Sequence, residues 1–172
     1  NDVHISNCSF SSVCAAIRIG LKSIGSISDV HISHCSMKNV WREGIKIECS
    51  EGGNISDINI QDITMNDVSR PIFILLNNRF EPDDLGSSLE LDHIPEIGTM
   101  SDIIISDIIA SDSDEMRNTH YRFDDDVMGS PKFAGIRIDA EKNHPIRNLT
   151  LRNISYKFIG GVKLSDIPNE YP

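Results

Sequence analysis

Apolar residues alternate with polar ones over short stretches that recur along the chain. Residues 1–10 (NDVHISNCSF) and 28–37 (SDVHISHCSM) are nearly the same, and further copies follow at 56–65 (SDINIQDITM), 101–110 (SDIIISDIIA) and 147–156 (RNLTLRNISY). Set one above another, they give an apolar column of Val3, Val30, Ile58, Ile103 and Leu149, and a second of Ile5, Ile32, Ile60, Ile105 and Leu151. Period-two alternation is that of a strand with one buried face. A polar column of Asn7, His34, Asp62, Asp107 and Asn153 comes next, then Cys8, Cys35, Ile63, Ile108 and Ile154. A second kind of strand lies between the copies: AAIRIG (15–20), EGIKIE (43–48), RPIFIL (70–75) and AGIRID (134–139). It aligns Ile17, Ile45, Ile72 and Ile136 on one face, and Arg18, Lys46, Phe73 and Arg137 on the other.

The two strand types alternate with a period of 27–28 residues, and helical periodicity is absent. Short strands in coils of that length, with like residues stacked on like, predict an all-β parallel β-helix. A sandwich of hairpins would need two-residue turns of the Asn-Gly or Asp-Gly kind, and the sequence has none. Asn and Asp columns are expected to hydrogen-bond along the stack at the turns. Residues 1–172 are expected to form one domain, with inserted loops at 77–100 and 111–133. Both loops are polar and turn-rich, and long insertions on a solenoid gather on the binding side.

Composition narrows the function. The net charge is −10, with no Lys/Arg run longer than a pair, so neither nucleic acid nor an anionic membrane is an expected partner. No apolar run reaches the length of a membrane span. The four cysteines lack metal-type spacing and are expected as buried apolar thiols, Cys8 and Cys35 in one column.

The run GIKIECSEGGNISDINIQDITMNDVSRPIFI (44–74) resembles the segment of family 28 glycoside hydrolases, the polygalacturonase group, that carries their Arg-Ile-Lys motif. NHPIRNLTLRNISYKFIGG (143–161) and the closing IPNEYP are similar to the ends of bacterial members. The resemblance implies a right-handed parallel β-helix, the C-terminal coils of a longer chain, that hydrolyses α-linked uronate bonds in pectin by an inverting two-carboxylate mechanism. It implies a secreted or periplasmic location, no cofactor and no metal. The family's Asn-Thr-Asp and Asp-Asp motifs would precede Asn1, its Gly-His-Gly falls on Cys14-Ala15-Ala16, and its Arg-Ile-Lys falls on Lys46-Ile47-Glu48. An uncapped first coil would leave an open sheet edge, and self-association through it is expected.

Lys46, Arg18 and Arg137 are therefore candidate ligands for sugar carboxylates, with Trp41 as a stacking surface for a sugar ring. Glu48 and Asp139 share a column two coils apart, about 10 Å, and are candidate catalytic acids. His4, His31 and His34 are expected as surface residues, since only two of them align. Asp83, Asp84, Asp124, Asp125 and Asp126 are expected as solvated loop acids, because their spacing lacks the alternation of a calcium loop. Asn7, Asn54, Asn148 and Asn153 stand in N-x-S/T patterns, mostly within strands, where a glycan is hard to place. The alternative function is a non-catalytic β-helix module for carbohydrate binding or a structural, adhesin-type role.

Overall fold

The computed structural model describes residues 1–21, 24–79, 95–112 and 135–158. The expected loop acids at 83, 84 and 124–126 lie outside these residues. The described elements are strands: β1 (Val3–Ser6), β2 (Ser9–Ser12), β3 (Ile17–Gly20), β4 (Ser26–Cys49), β5 (Asn54–Leu76), β6 (Thr99–Ser111), β7 (Arg137–Ala140) and β8 (Arg147–Lys157). No helix occurs among the described residues, so none is long and apolar enough to cross a membrane.

Every pairing between these strands is parallel. The main path runs β1-β4-β5-β6-β8, with β2 and β3 also on β4, and β7 on β5. The registers are those of the sequence columns: Val3 faces Val30, Val30 faces Ile58, Ile58 faces Ile103 and Ile103 faces Leu149. In the second strand type Ile17 faces Ile45, Ile45 faces Ile72 and Ile74 faces Ile138. A register shift between Val40 and Glu43 joins the two halves of β4 to those of β5. Thr99 and Met100, expected in the first inserted loop, instead open β6, and the second expected loop begins one residue inside its end.

Strands as long as β4 and β5 accommodate this by bending at residues with positive φ. Fourteen non-glycine residues adopt it among those described, and twelve are Asp or Asn. These are the L-residues that tolerate left-handed backbone best. They recur every five residues, as Asp29, His34 and Asn39 in β4 and Asp57, Asp62 and Asp67 in β5. The corners are tied along the stack. Asn153 Nδ2 donates to Asp107 Oδ1 and Asn148 Nδ2 to Asp102 Oδ1, each at 2.8 Å. Thr99 Oγ1 donates to Asn54 Oδ1 at 2.7 Å. Asn54, Asn148 and Asn153 thus use their amides within the stack.

Between the corners, side chains at alternating positions fill the interior. Ile45, Ile47, Ile60, Ile72, Ile74, Ile103 and Ile105 are fully buried, within one cluster that spans β3 to β6. Isoleucine suits this place because its branched side chain packs well on a pleated surface and has little rotamer freedom to lose.

The end rows depart from the expected core. Val3, Ile136 and Ile138 are exposed, and Leu149, Leu151 and Ile154 are only half-buried. Among the described residues Val3, Ile138, Leu149, Leu151 and Ile154 have a paired row on one side only, and Ile136 stands just before β7. The same geometry corrects the cysteine expectation. Cys35 and Cys49 are buried, but Cys8, in the first row, is exposed and Cys14 half-exposed. All four are free thiols.

Candidate functional site

A groove of about 470 Å³ opens on the outer face where the second halves of β4 and β5 meet β7. Its floor is one row of the sheet. Arg18 pairs in register with Lys46, Lys46 with Phe73, and Phe73 with Arg137. Alternation places this row outside because its neighbours Ile45, Ile47, Ile72 and Ile74 point inward and are buried. The Phe73 ring is the centre of the floor. Lys46 Nζ lies 5.0 Å from its centroid, and the guanidinium carbons of Arg70 and Arg137 lie 5.4 and 5.7 Å away. Cations at these distances are attracted by the negative face of the ring.

The next row outward carries Glu48, Leu75 and Asp139 in register. Glu48 is a hub. Its Oε2 is 2.9 Å from both Arg18 Nη2 and Lys46 Nζ, and its Oε1 is 3.6 Å from Arg79 Nη1 and accepts a bond from Ser50 Oγ at 3.4 Å. Arg79 also reaches Glu51, at 3.1 Å. Burial alone would raise the Glu48 pKa, but the hydrogen bonds and charges of Lys46 and then Arg18 outweigh it, and the carboxyl is held below its ordinary value. A carboxyl so held is an anchor for cations and is poorly suited to donate a proton.

Asp139, the other candidate acid, stands two strands away and is exposed, with Arg137 Nη2 donating to it at 2.7 Å. The sheet geometry keeps the pair about 10 Å apart at the backbone. Both line the groove with Lys46 and Arg137, while Arg18 reaches it through Glu48. Trp41 is half-buried at the register shift before Glu43 and does not line the groove.

The sequence reading did not single out Glu43, Arg70, Asn77 or Arg79, which also line the groove. Glu43 and Arg70 are buried register partners, joined at 3.4 Å between Oε1 and Nη1. Their alignment was legible, since EGIKIE stacked on RPIFIL puts an acid over an arginine. Arg79 and Asn77 follow β5, beyond the reach of strand periodicity. In all, five cationic and four acidic side chains line the groove, a local surplus of positive charge on a chain of net charge −10.

The histidines lie elsewhere. His4 and His31 are stacked, with ring centroids 4.9 Å apart and an interplanar angle of 7°, and each bonds an Asp two residues before it. His34 contacts Asp62 at 3.5 Å on the corner column. Among the described residues no group of three or more His, Cys, Asp or Glu side chains converges as a metal site.

Comparison with known proteins adds no relative to this picture. No family model, no curated protein and no solved structure matches the chain.

Proposed function

We propose that the groove binds the uronate units of an acidic polysaccharide. In this reading the chain forms the C-terminal coils of a right-handed parallel β-helix in a secreted or periplasmic glycoside hydrolase of the polygalacturonase type. The carrying observation is the floor row: Lys46 and Arg137 flank Phe73, with Arg70 on the same ring. A uronate carboxylate is best held by planar or multiple N–H donors. Arginine offers five donors and lysine three, so pairing with one carboxylate leaves donors for a ligand.

The parallel register with a 27–28-residue offset, the five-residue corner spacing and the resemblance across 44–74 support the β-helix. The hydrolytic carboxylates are assigned to the family motifs expected before Asn1. The residues of this chain then position substrate: Lys46 and Arg137 hold its carboxylate, while Glu48 fixes Lys46, Arg18 and Arg79 around it. The buried Glu48 standing where the motif has lysine, and the lack of imidazole at Cys14-Ala15-Ala16, favour a second reading, a non-catalytic carbohydrate-binding module.

Calorimetric titration with trigalacturonate and with its carboxyl-reduced counterpart tests the binding claim. Preference for the acidic sugar, lost in Lys46→Met and Arg137→Met, is the expected result. Equal binding of both sugars, or binding of neither, refutes it. Release of reducing ends from polygalacturonate by the full-length protein separates hydrolase from binding module.

A further inference from the structure

Glu43 presents an anomaly in this groove. Its side chain is 1 % exposed, and its Oε1 accepts from Arg70 Nη1 at 3.4 Å. Its Oε2 has no hydrogen-bond partner: Arg42 Nε, itself buried and without one, forms an ion pair with it at 3.7 Å, too far for a hydrogen bond. The side-chain oxygen of Asn77, on the same groove, is likewise buried and without a hydrogen-bond partner. Buried acceptors are costly to leave unsatisfied, and two of them on one groove are places where a ligand's donors would be gained at full value.

We propose that Glu43 and Asn77 read the hydroxyl groups of the ligand. Oε2 of Glu43 and Oδ1 of Asn77 accept sugar O–H donors, while Lys46, Arg70 and Arg137 take the carboxylate. Hydroxyls are the donors that fit, because cationic donors are already abundant on this groove and a saccharide supplies hydroxyls beside its acid group. The inference rests on the groove being a saccharide site and adds which side chains select a polyhydroxylated anion over a simple one.

Glu43→Gln tests it by the sign of its effect. Arg70 draws the amide oxygen toward itself, so the amide NH₂ takes the place of Oε2 and an acceptor becomes a donor. If the groove acted by charge alone, removing an acid would tighten binding of an anion. The expected result is the opposite, about tenfold weaker binding of trigalacturonate by calorimetry. Asn77→Ala, which changes no charge and sits at a half-buried position, is expected to weaken binding several-fold, and it decides the matter alone should Glu43→Gln fail to fold. Unchanged or tighter binding in a folded variant overturns this proposal and leaves the groove's reading intact. Failure of the wild-type chain to bind trigalacturonate overturns that reading, and this proposal with it.

Discussion

Replacing Glu48 by glutamine removes one charge from the most heavily shared group in the groove. The Glu48 side chain is 3 % exposed and that of Lys46 is 11 % exposed, with 2.9 Å between their charged atoms. Without Glu48 the Lys46 ammonium is left buried with no opposing charge beside it. Breaking one side of a buried pair costs about 3–5 kcal/mol, most of it the penalty on the abandoned partner. Lys46→Met should cost less, about 1–2 kcal/mol, because Glu48 keeps Arg18 and Arg79. The double variant should fall short of the sum of the two by about 1–3 kcal/mol, the coupling of residues in direct contact. The pH dependence has a definite sign. The folded-state pKa of Glu48 is lowered, so its stabilisation is fully present above the unfolded-state value and is lost as pH falls through the folded one. Glu48→Gln should therefore cost most near neutrality and progressively less below about pH 4. Urea unfolding followed by circular dichroism, run on all four proteins at several pH values, measures each term. A neutral-pH cost below about 1 kcal/mol, as for a solvated surface pair, would refute the buried hub, and so would a cost independent of pH.

Three further outcomes follow from the stack. Ile60→Ala, at a fully buried position between Ile32 and Ile105, should cost about 3–4 kcal/mol in urea unfolding, whereas Leu149→Ala in the half-buried last row should cost about 1–2 kcal/mol. The hydrogen bond from Asn153 Nδ2 holds the half-exposed Asp107 carboxyl below its ordinary pKa, so Asn153→Ala should raise that pKa, as read by NMR titration. A thiol reagent should label Cys8 first and Cys14 next, while Cys49 resists in the native state, because burial and the charge of Glu51 push its pKa up to about 11.

Strand order and register were legible because parallel stacking at a fixed offset makes each residue meet its own equivalent. Val3 over Val30 and Glu48 over Leu75 over Asp139 follow from counting residues, and both registers hold. Burial was legible only for inner rows. Ile136 and Ile138 carry the same letters as Ile72 and Ile74, but a column says nothing about whether a further row covers its last member. Corner geometry was half legible. The polar column was plain, but the five-residue interval that sets Asp29, His34 and Asn39 in left-handed backbone belongs to bends inside a strand, which a two-residue period does not contain. At the site, the cation row was legible from alternation. The role of Glu48 was not, because a column fixes which residues are neighbours and leaves open which way long side chains lean. Lys46 and Arg18 lean to one carboxylate and Arg70 to another.

That leaning decides what the groove can bind. Had the cations of the floor row stood free over solvent, a simple anion would satisfy them and the groove would discriminate by charge alone. Each instead has a carboxylate within reach: Lys46 and Arg18 share Glu48, Arg70 has Glu43, and Arg137 has Asp139. A lone anion would have to compete with groups already fixed a few ångströms from the cations, with no binding entropy to lose. On the proposed reading a ligand gains there by offering more than charge, namely hydroxyls for acceptors such as Glu43 Oε2 and Asn77 Oδ1. On that reading, matched internal pairs thus turn a basic patch into a site selective for a molecule that carries acid and hydroxyls together, as a uronic acid does.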